Sequence, residues 1–264
     1  MTDARLFTRR AALLGGVAGG GLLLAGCDQL THSADVQRVL HAAERLTYRS
    51  QRLLGGGRAL AREFSPKDIS PVFKPNGTTY PGGDDYAGHV DEGFKNWTLT
   101  IDGLVQKPLE LSVAEIKRLP SRTQITRHDC VEGWSAIGQW TGVPLGLLLK
   151  ASGLKPNARY AVFHCADNLD GELAKGGEQS PGQYYESIDL VDAFHPQTII
   201  AYQLNGKDLP IGNGAPLRLR VERQLGYKHA KYLQRIELVD SFSHISGGKG
   251  GYWEDRGYEW YAGI

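Results

Sequence analysis

Apolar and polar residues alternate with a period that changes several times along this chain, and each change marks an element. In SADVQRVLHAAERLTYRSQRLL, residues 33–54, Val36, Val39, Leu40, Ala43, Leu46 and Leu53 or Leu54 recur at the spacing of one helix face, with Asp35 placed to cap the start. This predicts an amphipathic helix that packs on the main domain or spaces it from a membrane, its arginines forming a solvated face. From Ser65 to Gly88, Pro66, Pro71, Pro75 and Pro81 deny regular structure, so the segment reads as a loop, packed through Phe73 and Tyr80. NWTLTIDG alternates Trp97, Leu99 and Ile101 with polar residues, a half-buried strand ending in a turn. LSVAEIKRLP is a short helix, with Ser112 as N-cap, Glu115 three residues on and Pro120 as the stop. GVPLGLLLKASG is another, with Pro144 in its first turn and Gly153 as C-terminal cap.

Strands dominate the C-terminal half. YAVFHC is a buried strand, and TIIAYQLNGKDL is a hairpin turning at Asn205-Gly206. LRLRVE alternates Leu217, Leu219 and Val221 with Arg218, Arg220 and Glu222, and YLQRIELVD closes the series. Several short strands with few helices make the fold class α+β. The 264 residues, 41% hydrophobic, support one substantial core. A net charge of +1 leaves no basis for bulk nucleic-acid binding. No internal repeat, zinc-ligand spacing, phosphate-binding loop or haem-attachment CxxCH occurs.

The first 27 residues stand apart. FTRRAALLGGVAGGGLLLAGC places Arg9 and Arg10 before an apolar run too short and glycine-rich for a good membrane span. This pattern predicts export of a folded protein by the twin-arginine route. LAGC reads as a lipidation box, so Cys27 becomes a lipid-anchored first residue at a periplasmic membrane surface, against the simpler reading of cleavage near Ala25. The expected organisation is a signal over 1–27, an amphipathic helical segment over 28–62 and one domain over 63–264.

The chain has three cysteines, so the one in HDCVEGWSAIGQW, residues 128–140, stands out. The residues alone leave several readings of Cys130 open. It is a metal ligand, a nucleophile paired with His128 two positions earlier, an inert core thiol, or half of a disulfide with Cys165. A second cluster lies in GNGAPLRLRVERQLGYKHAKYLQRIEL. Asn213, Arg218, His229 and Lys231 crowd a glycine-bearing loop, the residue types that hold a phosphate dianion, with a solvated surface strand as the competing reading. Tyr184 and Tyr185 precede a short helix. In the tail, Trp253, Tyr258, Trp260 and Tyr261 either wall a pocket or strap the tail down, and strapping is the expectation.

Taken together, HDCVEGWS, YYESIDL with HPQTIIAYQLNGKDLP, and NGAPLRLRV with GYKHAKYLQRIEL resemble the catalytic domain of the sulfite oxidase family of molybdenum enzymes, in particular its exported prokaryotic branch, from about Asn76 to about Val239. The resemblance implies a mononuclear molybdenum-molybdopterin cofactor without a nucleotide, with Cys130 as the protein thiolate on the metal. It implies that Arg218 and the His229-Ala230-Lys231 run hold the pterin phosphate with Asn213 nearby, that Asn76 contacts the cofactor, and that Tyr184 faces the metal. The family's haem extension and dimerisation domain have no counterpart. A monomer is therefore expected, exchanging electrons with a membrane haem protein or a cytochrome. The implied activity is oxygen-atom transfer to or from a small S- or N-oxide. Sulfite oxidation, a non-catalytic pterin or anion binder, and a thiol enzyme using Cys130 with His128 are the alternatives. Sulfite oxidases carry basic residues just after the ligand cysteine, whereas Glu132 here disfavours a sulfite dianion if it faces the metal, unless Arg127 restores positive charge. Sulfoxide-reducing members have threonine at the position of Cys165.

Overall fold

The computed structural model describes residues 33–55, 59–170 and 182–264. The expected export signal at 1–27 lies outside them. The chain divides into a unit ending at Ser50 and a unit from Gln51 to Ile264. Helix α1 (Ala34–Gly55) forms where the helical spacing places it. Its capping group is the Ser33 hydroxyl, which accepts from Val36 N at 3.3 Å, rather than Asp35, which sits in the first turn. Val39, Leu46, Leu53 and Leu54 on this helix are exposed. No helix among the described residues is long and apolar enough to cross a membrane.

The second unit holds two five-stranded sheets, and its fold is α+β as the pattern predicts. The first sheet has the order β2 (Leu109–Ser112), β1 (Thr98–Gly103), β10 (Leu233–Val239), β5 (Tyr160–Asn168) and β6 (Gln183–Asp189), with β1 parallel to β10 and the other pairs antiparallel. The second runs β3 (Arg122–Cys130), β4 (Trp134–Pro144), β7 (Ile199–Leu204) and β8 (Lys207–Asp208), with β9 (Arg218–Arg220) on β7. The β7–β8 hairpin turns at Asn205 and Gly206, both in the left-handed region that a two-residue loop requires.

Local signals set the helices. In α3 (Val113–Arg118) Ser112 Oγ accepts from Glu115 N at 3.3 Å while Glu115 accepts in return from Ser112 N, the reciprocal cap read from the sequence. Helix α4 (Leu145–Ser152) buries Leu145, Leu148 and Leu149 and ends at Gly153 with φ 66°. Each such leucine contributes about 2 kcal/mol by leaving water. The proline-rich stretch departs from the loop expected of it. It contains a 3-10 turn at Pro66–Asp68, and its end starts α2 (Asp84–Asp91), where two acidic residues in the first turn favour a helix over the flanking glycines. Phe73 is packed as expected, edge-on against Trp140 with ring centroids 5.0 Å apart, whereas Tyr80 is 43% exposed. Short helices α5 (Leu190–Ala193) and α6 (Tyr252–Asp255) complete the set.

The LRLRVE segment differs from the surface strand that its alternation permits. Leu217, Leu219 and Val221 join the main core, and Arg218 and Arg220 on the opposite face are also fully buried. Both guanidinium groups lie against Trp140, at 5.0 and 4.4 Å from its ring.

Close approach of β4 and β7 depends on Gly142, where the pairing register shifts. A Cβ there would lie 2.2 Å from Ile200 O and 2.5 Å from Ala201 Cα, both backbone atoms that cannot step aside. We expect Gly142→Ala to cost about 3 kcal/mol, the upper range for overpacking, measured by denaturant unfolding against a control such as Gly88→Ala, where a Cβ meets open space and the backbone is helical.

Candidate active site

Cys130 ends β3 at a tight turn into β4. Gly133 N donates to Cys130 O at 3.0 Å, and Gly133 at φ 85° takes the conformation that closes the turn. The turn presents a half-buried thiol to a cleft of about 690 Å3, including its open mouth. Asn76, Glu132, Asp167, Tyr184, His229 and Lys231 share this cleft, and Val131, Leu169, Tyr227, Trp253 and Tyr258 supply its apolar wall. Arg218, Asn213 and Ala230 stand directly behind. The Arg218 guanidinium donates to Asn213 O at 2.9 Å and His229 O at 3.3 Å, and Ala230 O accepts from Leu219 N at 2.8 Å. The residues singled out in the sequence are thus brought together.

Neither a disulfide nor a Cys–His nucleophile survives this geometry. Cys130 and Cys165 are both free. His128 is buried and turned to Arg220, whose Nη1 lies 2.9 Å from its Nδ1. Burial pushes the Cys130 thiol above its ordinary pKa, the opposite of an activated nucleophile.

The wall carries charges of both signs, Lys231 standing within the influence of the Asp167 and Glu132 carboxylates. Arg220 is neutralised by Glu222 through paired bonds of 2.9 and 2.6 Å. Arg218, fully buried, has no salt bridge among the described residues, and burial with repulsion from Arg220 lowers its pKa to about 9. Lys231 Nζ donates to the carbonyls of Asn76 at 2.6 Å, Gly212 at 3.1 Å and Thr78. Burial first, and then Arg218, pushes its pKa down to about 7. Arg218, a buried cation without a salt bridge among the described residues, suits an anion, whereas Lys231 is partly balanced by Asp167 and Glu132.

Unpartnered buried polar atoms sharpen the test of fit. Arg218 Nε and Asn213 Nδ2 are donors without an acceptor among the described residues, which suits a phosphate behind the cleft. Cys130 supplies a soft sulfur in front. The donor set therefore fits a group with a soft metal at one end and a phosphate at the other. Tyr184 lines the cleft, but its hydroxyl donates to Tyr227 O and so holds the wall rather than pointing free.

Two contributors, Asp167 and Lys228, carry no local signal in the sequence. Asp167 is 3% exposed, and burial raises its pKa to about 6. Lys228 is buried between Glu186 and Glu254, tying the tail helix α6 to the segment that carries Tyr227 and His229. The expected strap thus exists, made by this triad and by Trp260 Nε1 donating to Ser187 Oγ at 2.9 Å, and it sets Trp253 and Tyr258 into the wall. No local motif announces any of these, since each depends on pairing across the fold. Glu132 does face the cleft, kept ionised chiefly by a hydrogen bond from Trp134. Arg127 pairs with Asp129 at 2.9 Å and is not part of the lining.

Residues 87–245 match the family described as oxidoreductase molybdopterin binding domain. A putative protein-methionine-sulfoxide reductase subunit, YedZ1, of Azospira oryzae is 36% identical over 265 residues, 98% of this chain and 87% of that protein. The protein-methionine-sulfoxide reductase catalytic subunit MsrP of Gluconobacter oxydans is 41% identical over 149 residues. There the match takes in 54% of this chain and 47% of the relative, so this chain spans about half of it. Among solved structures, the sulfane dehydrogenase SoxCD from Paracoccus pantotrophus aligns at 23% identity and a TM-score of 0.48, over 56% of this chain and 39% of that one.

Lys231 gives the cleft a pH signature. Its folded pKa, about 7, lies below the ordinary lysine value of 10.5. In that window the unfolded chain keeps a proton that the folded chain has released, so stability rises with pH and is lost as pH falls towards 7. We expect cofactor-free protein to gain up to about 1.4 kcal/mol per pH unit from this group. Denaturant unfolding between about pH 7 and 8.5 checks it, with Lys231→Met flattening the slope.

Proposed function

This chain belongs to the oxidoreductase molybdopterin binding domain family, the sulfite oxidase family of molybdopterin-dependent oxidoreductases, and on that footing we propose that it reduces sulfoxides by oxygen-atom transfer, with Cys130 as the protein ligand of the molybdenum. The observation that carries this reading is the convergence of a free cysteine on a tight turn, a lysine and a carboxylate in one cleft, with a buried arginine that has no salt bridge among the described residues bonded to the backbone behind it. When bound, the cofactor supplies a metal that exchanges one oxygen atom and two electrons with substrate.

The residues of the chain hold and select. Arg218, Lys231 and Asn213 Nδ2 bind the phosphate, a charge-assisted set that also relieves the mutual repulsion of the buried cations. Tyr184 fixes the Tyr227 carbonyl and with it one wall. Trp253 and Tyr258, ring centroids 5.3 Å apart, with Tyr227 at 5.2 Å from Tyr258, present aromatic surface to a thioether or sulfoxide side chain. Glu132 repels anions and accepts neutral S-oxides. Reduction then balances as sulfoxide plus two protons and two electrons giving thioether and water. The names of the relatives, methionine-sulfoxide reductase subunits, point to the sulfoxide of methionine as the substrate class.

Sulfite oxidation is the runner-up, and the Glu132 carboxylate weighs against it because Arg127 is engaged outside the cleft. Electrons would reach the metal from a separate haem partner. The proposed setting is the periplasm, with export directed by the twin arginines and a lipid on Cys27, both outside the described residues.

Dye-linked assays of the molybdenum-loaded protein test the reading. We expect oxidation of a reduced viologen dependent on methionine sulfoxide, lost in Cys130→Ala. Glu132→Gln should tighten inhibition by sulfite about fivefold, the size of one exposed charge at close range. Sulfite turnover faster than sulfoxide turnover would overturn the assignment.

A further inference from the structure

Helix α1 carries its apolar residues on the wrong side for a helix that packs by them. At about 100° per residue, Gln37, Glu44 and Tyr48 fall on one face, and all three are part-buried. Val39, Leu46 and Leu53 recur every seven residues on the opposite face, at 67, 66 and 83% exposure. Ala42 and Ala43, exposed between them, widen the stripe. A helix that packs into a globular core turns such a stripe inward. Here it faces water, and the helix is too polar to cross a bilayer.

The charged border of the stripe has one dominant sign. Arg38, Arg45 and Arg49 run along its edge, all exposed. Asp35 in the first turn engages Arg38, whereas Arg45 and Arg49 have no salt bridge among the described residues. Glu44, the other acid of the helix, lies on the part-buried face and is 3.9 Å from His41. Thr47 returns its hydroxyl to Ala43 O at 3.0 Å. An apolar stripe bordered by arginines suits a helix lying in the plane of a membrane interface, with the stripe at the acyl boundary and the guanidinium groups among phosphates. The chain before the helix points the same way. Cys27 stands seven residues before Ala34, a tether of at most about 25 Å. A lipid on that cysteine holds the helix beside the bilayer, where even a weakly binding face is kept at high effective concentration. A second copy of the chain would also bury the stripe, but it gives the arginines no anion.

We propose that α1 lies flat in an anionic phospholipid surface, with Val39, Ala43 and Leu46 at the acyl boundary and Arg45 and Arg49 on the lipid phosphates. A lipid on Cys27 would hold the chain near the bilayer without turning any face towards it, and α1 supplies the orientation. This rests on the membrane setting proposed above and not on which oxide is reduced.

Tryptophan quenching reads the contact. Leu46→Trp places an indole on the stripe, and His41→Trp places one on the far side of the same helix, both at exposed positions. The full chain, cofactor-loaded, is bound to vesicles of phosphatidylglycerol and phosphatidylethanolamine with brominated acyl chains. The fluorescence added over wild type is then followed. We expect bromine to remove the signal added by Leu46→Trp and to spare that of His41→Trp. Adding Arg45→Glu and Arg49→Glu to Leu46→Trp should bring the signal back, as should exchanging phosphatidylglycerol for phosphatidylcholine. Quenching that ignores both changes would overturn the anionic surface as the occupant. Equal quenching at the two positions would overturn the proposal, as would none at position 46 in chain that sediments with the vesicles, whether or not its mass shows a dimer. Chain that stays in solution would overturn the proposal and the membrane setting together. Dye-linked turnover in solution should be the same in every variant, so that none of these failures touches the functional reading.

Discussion

A guanidinium buried without a carboxylate is the constraint around which this molecule is built. Arg218 and Arg220 stand two residues apart on one short strand, both against Trp140 and both out of water. Arg220 has Glu222. Arg218, among the described residues, has only backbone carbonyls. Transfer of a lone cation from water costs several kcal/mol even after relaxation, and a fold that existed for stability alone would have placed an acid beside it. On the proposed function, the charge is held for the phosphate of the cofactor. The depressed pKa values of Arg218 and Lys231 and the unpartnered donors on Arg218 and Asn213 are consequences of that arrangement.

Other buried charges are compensated, and their placement shows what needs to be rigid. Lys228 lies between Glu186 on β6 and Glu254 on α6, with none of the three exposed to solvent. It pins the tail against the segment from Gly226 to Lys231, from which His229 and Lys231 reach the cleft. Gly226 allows that segment to abut β3, since a Cβ there would lie 2.6 Å from His128 Nε2. At the far side Arg52 joins Asp189 and Asp192. Tying down both ends of the domain gives the cleft walls a single position, which positioning chemistry requires.

Much of this was legible in the sequence where the signal is local. The Ser112–Glu115 cap, the Asn205-Gly206 turn and the Gly153 stop are short-range, and the structure has each of them. The α2 helix was hidden because proline and glycine flanks dominate its stretch. The depth of Arg218 and Arg220 was hidden because alternation describes two faces and cannot say that both are covered. The grouping of Cys130 with Arg218, His229 and Lys231 came from the order of motifs, whereas Asp167 has no motif. It reaches the cleft beside a register slip between two strands, a tertiary event. The choice between disulfide and free thiols likewise waited on distance, which spacing does not encode.

If the thiol at the end of β3 grips the metal of a cofactor whose charge the buried arginine and lysine complete, the metal must count that sulfur among its neighbours. X-ray absorption at the molybdenum edge of the loaded protein, beside Cys130→Ser, counts them. The serine variant, still holding its pterin, is expected to show one sulfur neighbour fewer around molybdenum than wild type. An identical sulfur shell in the two proteins would contradict ligation by Cys130.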